Sequence, residues 1–186
     1  NDAWVWERLA LSRGRILNGG KILNERLSRI IRKALNINII PKQIIKEVQE
    51  MRLRIDGKAQ KNNSRDNFKL GPGRLQDLEL LIQMGALLKR NFNSRSPKKM
   101  ISSLNAVGFF TEEEAKVCAN AYSSYTNLQQ ILNITSTGQI GEASLANIKS
   151  ILQSHNYEEF SKNITEDLTA FSNSIDSIFH MKLTYD

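Results

Sequence analysis

Residues 69–83, KLGPGRLQDLELLIQ, set a rigid Gly-Pro-Gly turn against an apolar segment that carries Asp77, Glu79 and Gln83. From Leu75 to Leu88 the segment is apolar nearly all round, which marks a central, buried helix. Gln76, Glu79 and Gln83 are its exceptions, spaced i, i+3, i+7, so they share one line along it. Asp77 falls in the first turn, where a carboxylate favours the positive end of the helix dipole. A carboxylate inside such a helix must be paired, and Arg13, Arg15, Arg52 and Arg54 are the candidate partners. Two readings stand side by side: an internal ion pair that fixes helix register, or a polar seam for a neighbouring domain outside this chain.

Residues for chemistry in their own right are scarce. There is no Asp-x-Asp pair for catalytic magnesium, no Walker loop and no dinucleotide Gly-x-Gly-x-x-Gly. His155 and His180 lie in acidic surroundings and read as surface side chains, not metal ligands. Cys118 sits on an apolar helix face and reads as a small core residue. The expectation is a chain with no catalytic residue and no metal ligand of its own.

The elements that would position the polar line are all helical. Residues 3–17 are rich in apolar positions and stop at Asn18-Gly19-Gly20, a helix-end signal. Leu23, Leu27, Ile30 and Ala34 repeat at helical spacing, with Arg26, Arg29, Arg32 and Lys33 facing away. Pro41 opens a third helix with Ile44, Val48, Met51 and Ile55 as its stripe. Residues 57–68 are polar and aperiodic and read as an exposed loop. Pro97 starts a short helix through Met100, Ile101 and Leu104. Thr111 and Glu114 form a capping box for a helix that buries Ala115, Cys118, Tyr122, Tyr125 and Leu132. A shorter helix runs around Leu145, Ile148 and Leu152. The last carries Tyr157, Phe160, Ile164, Leu168, Phe171, Ile175 and Ile178. No stretch alternates at period two for long enough to be a strand, so the predicted fold is all-α, a bundle of about seven or eight helices in one helical domain.

The chain has 186 residues, 40% apolar and 24% charged, which is ordinary globular composition. One cysteine excludes a disulfide framework and fits a reducing compartment. No apolar run spans a bilayer, so a cytoplasmic protein without a membrane partner is expected, and the three Asn-x-Ser/Thr sequons read as chance. Charge is uneven. Residues 1–99 hold 22 Lys and Arg against 9 Asp and Glu, while residues 100–186 hold 4 against 10. The basic half, 1–95 in round terms, points to an anionic partner: nucleotide phosphate, nucleic acid or an acidic protein surface. A solvated basic face with no partner is the alternative.

Three segments, AWVWERLALSRGRIL at 3–17, EMRLRI at 50–55 and FKLGPGRLQDLELLIQ at 68–83, resemble the helical domain of bacterial glutamine-synthetase adenylyltransferases. The opening Ala-Trp-x-Trp-Glu is closer to the second, adenylylating half of that two-part family. After about residue 95 the similarity is architectural only. Leu78 and Leu80 replace the family's Ile and Phe. Arg74 stands at its second glycine, a position where a need for positive φ would make a side chain strained or change the turn.

The resemblance implies a helical segment that does no chemistry alone. An upstream nucleotidyltransferase domain would bind ATP and Mg2+ and transfer AMP to a tyrosine of glutamine synthetase, with no cofactor held by this chain. It implies domain-interface or nucleotide-proximal roles for Arg13, Arg15, Arg52, Gly71, Gly73, Asp77, Glu79 and Gln83, and docking of the first helix through Trp4, Trp6 and Glu7. Glutamine synthetase and a PII-type signalling protein are the implied partners, and an uncovered apolar and basic patch would favour a homodimer in isolation. A basic all-α nucleic-acid-binding module is the alternative. It is the weaker one, because the basic residues lack interleaved aromatics and are spread over several helices.

Overall fold

Helical periodicity without any sustained alternation leaves one architecture open, and the computed structural model has it. It describes residues 4–17, 19–36, 40–61, 67–135, 145–154 and 164–184. Among these there are eight α-helices and no strand: α1 (Val5–Ser12), α2 (Lys21–Leu35), α3 (Pro41–Lys61), α4 (Leu75–Leu88), α5 (Pro97–Ala106), α6 (Glu112–Thr135), α7 (Leu145–Ser154) and α8 (Ile164–Leu183). Tyr157, Phe160 and His155 lie outside the described residues.

The chain divides into two compact units, one of Asn1–Glu50 and Leu80–Ala115 with Asp186, the other of Met51–Glu79 and Lys116–Tyr185. In the first, Val5, Leu9, Val48, Leu81, Met84, Ile101 and Phe109 are buried. In the second, Phe68, Leu78, Cys118, Tyr125, Leu128, Leu168, Ile175 and Phe179 are buried, so Cys118 is the small core residue its helix face suggested.

Three features differ from the sequence expectation. The first helix stops at Ser12, not near residue 17. The Arg13 and Gly14 N–H groups donate to the Ala10 and Leu11 carbonyls at 3.2 and 2.9 Å, tightening the last turn, and the Ser12 hydroxyl donates to the Leu9 carbonyl at 2.6 Å. The segment from 57 is not a loop throughout. α3 continues to Lys61, since one exposed Gly57 costs a helix about 1 kcal/mol without ending it. At its far end, Asn67 and Phe68 are buried, and the Asn67 side-chain oxygen accepts the Lys69 and Leu70 N–H groups at 2.8 and 3.1 Å. The apolar stripe of α2 is also not buried: Leu23 is 51% and Ile30 63% exposed, and only Leu35 of that helix is buried.

The capping box of α6 forms as its spacing requires. Thr111 N–H donates to Glu114 Oε2 at 2.8 Å, and Glu114 N–H to Thr111 Oγ1 at 3.2 Å. Replacing Thr111 with Ala removes one of the two bonds and exposes an unpaired N–H at the helix start. The expected cost is about 1 kcal/mol in urea denaturation, with no change in the slope of the transition.

Candidate functional site

The Gly-Pro-Gly turn is the most constrained point of the second unit. Gly73 has φ of +65°, and a Cβ built on it would lie 1.9 Å from the Ser172 carbonyl oxygen of α8. Only glycine meets both conditions. Positive φ therefore falls on Gly73 and not on its neighbour. Arg74 keeps an ordinary backbone, so the strain expected of a side chain at that position is absent.

Side chains fix the turn from several directions. Tyr125 donates its hydroxyl to the Gly73 carbonyl at 3.0 Å, and Ser172 donates to the Pro72 carbonyl at 2.6 Å. Gly71 and Arg74 add backbone bonds, Gly71 N–H to the Asn67 carbonyl at 3.0 Å and Arg74 N–H to the Gly71 carbonyl at 3.1 Å. The Gly73 N–H donates to Asp77 Oδ2 at 2.8 Å, which makes Asp77 a cap for the turn as well as a first-turn acid of α4.

Of the four arginine candidates, Arg52 pairs with Asp77. Its Nε lies 2.9 Å from Asp77 Oδ1, its Nη2 lies 2.9 Å from Asp56, and its Nη1 donates to the Leu70 carbonyl at 3.2 Å. The fully buried acid of α4 is thus Asp77, whereas Glu79 and Gln83 are half-buried. Burial pushes the Asp77 carboxyl up to about 6. Arg52 and the Gly73 N–H oppose that rise, and Asp176 and Asp56 add to it. Burial also pushes the Tyr125 phenol up, so it stays a hydrogen-bond donor.

The remaining predicted residues lie in the first unit. Glu7 closes the first turn of α1 by accepting the Trp4 N–H at 2.8 Å. Trp4 and Trp6 are 66% and 49% exposed. Arg13 is half-buried at the end of α1. Arg15 lines a cleft of about 660 Å3 together with Arg32, which the α2 stripe placed only on an outer face, and Arg90 and Arg95, which the sequence did not single out. No spacing rule joins residues 15, 32, 90 and 95. Tyr125 and Ser172 were equally invisible as partners of the turn, since each is an ordinary helix position 52 and 100 residues from its acceptor.

Among the described residues no group of three His, Cys, Asp or Glu is placed to hold a metal ion, and no helix is long and apolar enough to cross a membrane. His180 is exposed, as its sequence context suggested, with Nδ1 2.8 Å from the Asp176 carbonyl oxygen.

Because the Asp77 pKa is raised on folding, the folded state holds that proton more tightly between about pH 4 and 6. Stability from this group is present at low pH and lost as pH climbs through 6, by up to about 3 kcal/mol. Wild type minus Asp77→Asn in urea denaturation should show this slope, and a flat difference from pH 4.5 to 7.5 would refute the assignment. Gly73→Ala should cost about 3 kcal/mol or more in the same assay, since neither the φ nor the Ser172 carbonyl can yield cheaply.

Residues 42–167 match the family described as GlnD PII-uridylyltransferase. Similar individual proteins carry the name bifunctional glutamine synthetase adenylyltransferase/adenylyl-removing enzyme. The protein of Rhizobium meliloti is 28% identical over 185 residues, covering 96% of this chain and 19% of that protein. The one from Brucella suis is 30% identical over 141 residues, 72% of this chain and 14% of that protein. The one from Mannheimia haemolytica is 26% identical over 161 residues, 81% and 17%. The chain spans less than a fifth of the length of these relatives. It belongs to the GlnD PII-uridylyltransferase family, as a helical domain related to the adenylyltransferases.

Proposed function

We propose that this chain is the non-catalytic helical part of a glutamine synthetase adenylyltransferase, working beside a nucleotidyltransferase domain that transfers AMP from ATP to a tyrosine of glutamine synthetase. The observation that carries this is the alignment of 96% of the chain with one such enzyme, within a family whose model covers residues 42–167. In this reading the Mg2+ for AMP transfer would be held by the partner domain, and no step runs through it here.

What this chain supplies is position. The Arg52–Asp77 pair and the bonds from Tyr125 and Ser172 hold the Gly71–Gly73 turn in one conformation, and Glu79 and Gln83 give α4 its polar line. A partner domain seated on that line would be oriented by a rigid element, which transfer reactions need more than any further reactive group. Trp4 just before α1, Trp6 on it, and Leu23 and Ile30 on α2 are exposed apolar side chains that suit docking of a domain or, in isolation, of a second copy. Arg13 and Arg15 would face the nucleotide or the acceptor, and glutamine synthetase and a PII-type regulator are the proposed partners.

The test is adenylylation of glutamine synthetase with labelled ATP, comparing this chain alone, a nucleotidyltransferase domain alone, and the two fused. The expected result is transfer by the fusion only, falling at least about tenfold with Glu79→Ala while the fold is kept. Equal transfer with and without the helical part would refute the supporting role.

A further inference from the structure

The cleft of the first unit gathers four arginines and no acid. Arg15 follows α1, Arg32 lies on α2, and Arg90 and Arg95 come from the segment between α4 and α5. Arg95 is anchored, its Nη1 donating to the Ser12 carbonyl at 2.7 Å. The segment itself is pinned by Asn91, whose amide donates to the Ser103 carbonyl at 3.1 Å and whose oxygen accepts the Ser103 hydroxyl at 2.9 Å. The Arg95 pKa is lowered by burial and by Arg32, so like charges are held together there against their mutual repulsion.

A second, independent observation concerns Arg90. α4 and α5 end in the same hydrogen-bond pattern. After α5, Gly108 takes the left-handed position at φ +70°, with Gly108 N–H to Asn105 and Phe109 N–H to Leu104, both at 2.9 Å. After α4, the corresponding bonds are Arg90 N–H to Leu87 at 3.2 Å and Asn91 N–H to Ala86 at 2.9 Å, but the left-handed residue is Arg90, at φ +48°. It is the only described non-glycine residue with positive φ. A side chain there costs about 1–2 kcal/mol that glycine would not. The residue that bears the cost is one that lines the cleft.

We infer that this cleft binds a nucleotide polyphosphate, with Arg15, Arg32, Arg90 and Arg95 on the phosphoryl oxygens. Guanidinium forks match phosphoryl oxygens in pairs, and the volume is that of a small-molecule site. Phe92 offers a ring for the base, and the Asn24 and Asn93 amides offer donors and acceptors for its edge. A polymer fits less well. The smaller neighbouring pocket along α2 includes Glu25, which interrupts a basic path for a nucleic-acid strand.

The chain is titrated calorimetrically with ATP, without metal, at about 0.1 M salt. Saturable binding tighter than about 1 mM is expected, weakened at least about tenfold in Arg32→Ala and in Arg90→Gly. Melting of each variant is read alongside, and unfolding like that of wild type in Arg32→Ala and Arg90→Gly separates lost binding from lost folding. Arg26→Ala makes the same charge change on α2 outside the cleft and should bind as wild type. The proposal is overturned by no binding in that range, by equal binding of adenosine, by an Arg26→Ala loss as large as that of Arg32→Ala, or by displacement of ATP with random duplex DNA. Because binding is read directly, its failure would leave the AMP-transfer reading standing, and loss of transfer would leave binding standing.

Discussion

The second unit depends on how closely two backbones approach at Gly73. The Ser172 carbonyl occupies the place of a Cβ, so α8 can sit where it does only if residue 73 has none. Glycine permits that approach but does not enforce it. A flexible residue loses the most entropy on folding, and the turn must be fixed by other groups. Here Pro72 narrows the backbone, and Tyr125, Ser172, Asp77 and Arg52 each hold one of the turn's polar atoms or the residue that does. The buried Asp77–Arg52 pair adds little net stability of its own, because burial offsets most of the attraction. Its value lies in specifying one geometry, as a partner lost from either side would leave a charge stranded.

The first unit does the opposite, carrying a side chain at a left-handed position where glycine is the usual choice. Gly108 shows that this chain uses glycine for the same helix ending, which makes Arg90 an exception within one protein and not a limitation of the motif. Strain of that kind persists where the surroundings over-determine it, and the Asn91–Ser103 bonds supply the constraint on the very next residue. Arg95 is held from another side by Ser12. Of the four arginines, Arg95 thus has its side chain anchored and Arg90 its backbone fixed, and anchoring of that kind lowers the loss of freedom on binding.

Much of the fold was legible because its signals are local. The capping box of α6, Pro41 and Pro97 at helix starts, and the all-round apolar α4 each follow from a few adjacent residues, and the structure has them all. The pairing of Asp77 with an arginine followed from burial alone. Which arginine did not, because Arg13, Arg15, Arg52 and Arg54 differ only in where the chain brings them. The turn showed the same boundary. Glycine at 73 and the departure at 74 were both visible, yet which of the two needed positive φ depends on the approach of α8, about 100 residues away. The loop expected from residue 57 failed at 57–61 for a different reason: polar, aperiodic sequence describes a helix end as well as a loop, and Phe68 was a large apolar residue whose burial should have carried weight.

α2 is the instructive failure. Leu23, Leu27, Ile30 and Ala34 do share a helix face, yet the face stands largely open, while Arg32, placed on the outside by that stripe, lines a cleft. Periodicity reports that a face is apolar; it cannot report what covers it. In a chain that buries its own core elsewhere, an amphipathic helix whose apolar face is left uncovered exposes surface worth about 25 cal/mol for each Å2. That cost is borne for a reason only if something takes the face up. The charge distribution narrows what it could be. For the partner domain proposed above, an acidic surface would meet Arg26, Arg29 and Lys33 and an apolar one Leu23 and Ile30, so such a domain would have to present both. A folded domain can do that along one helix, which a small ligand or a bare polyanion cannot.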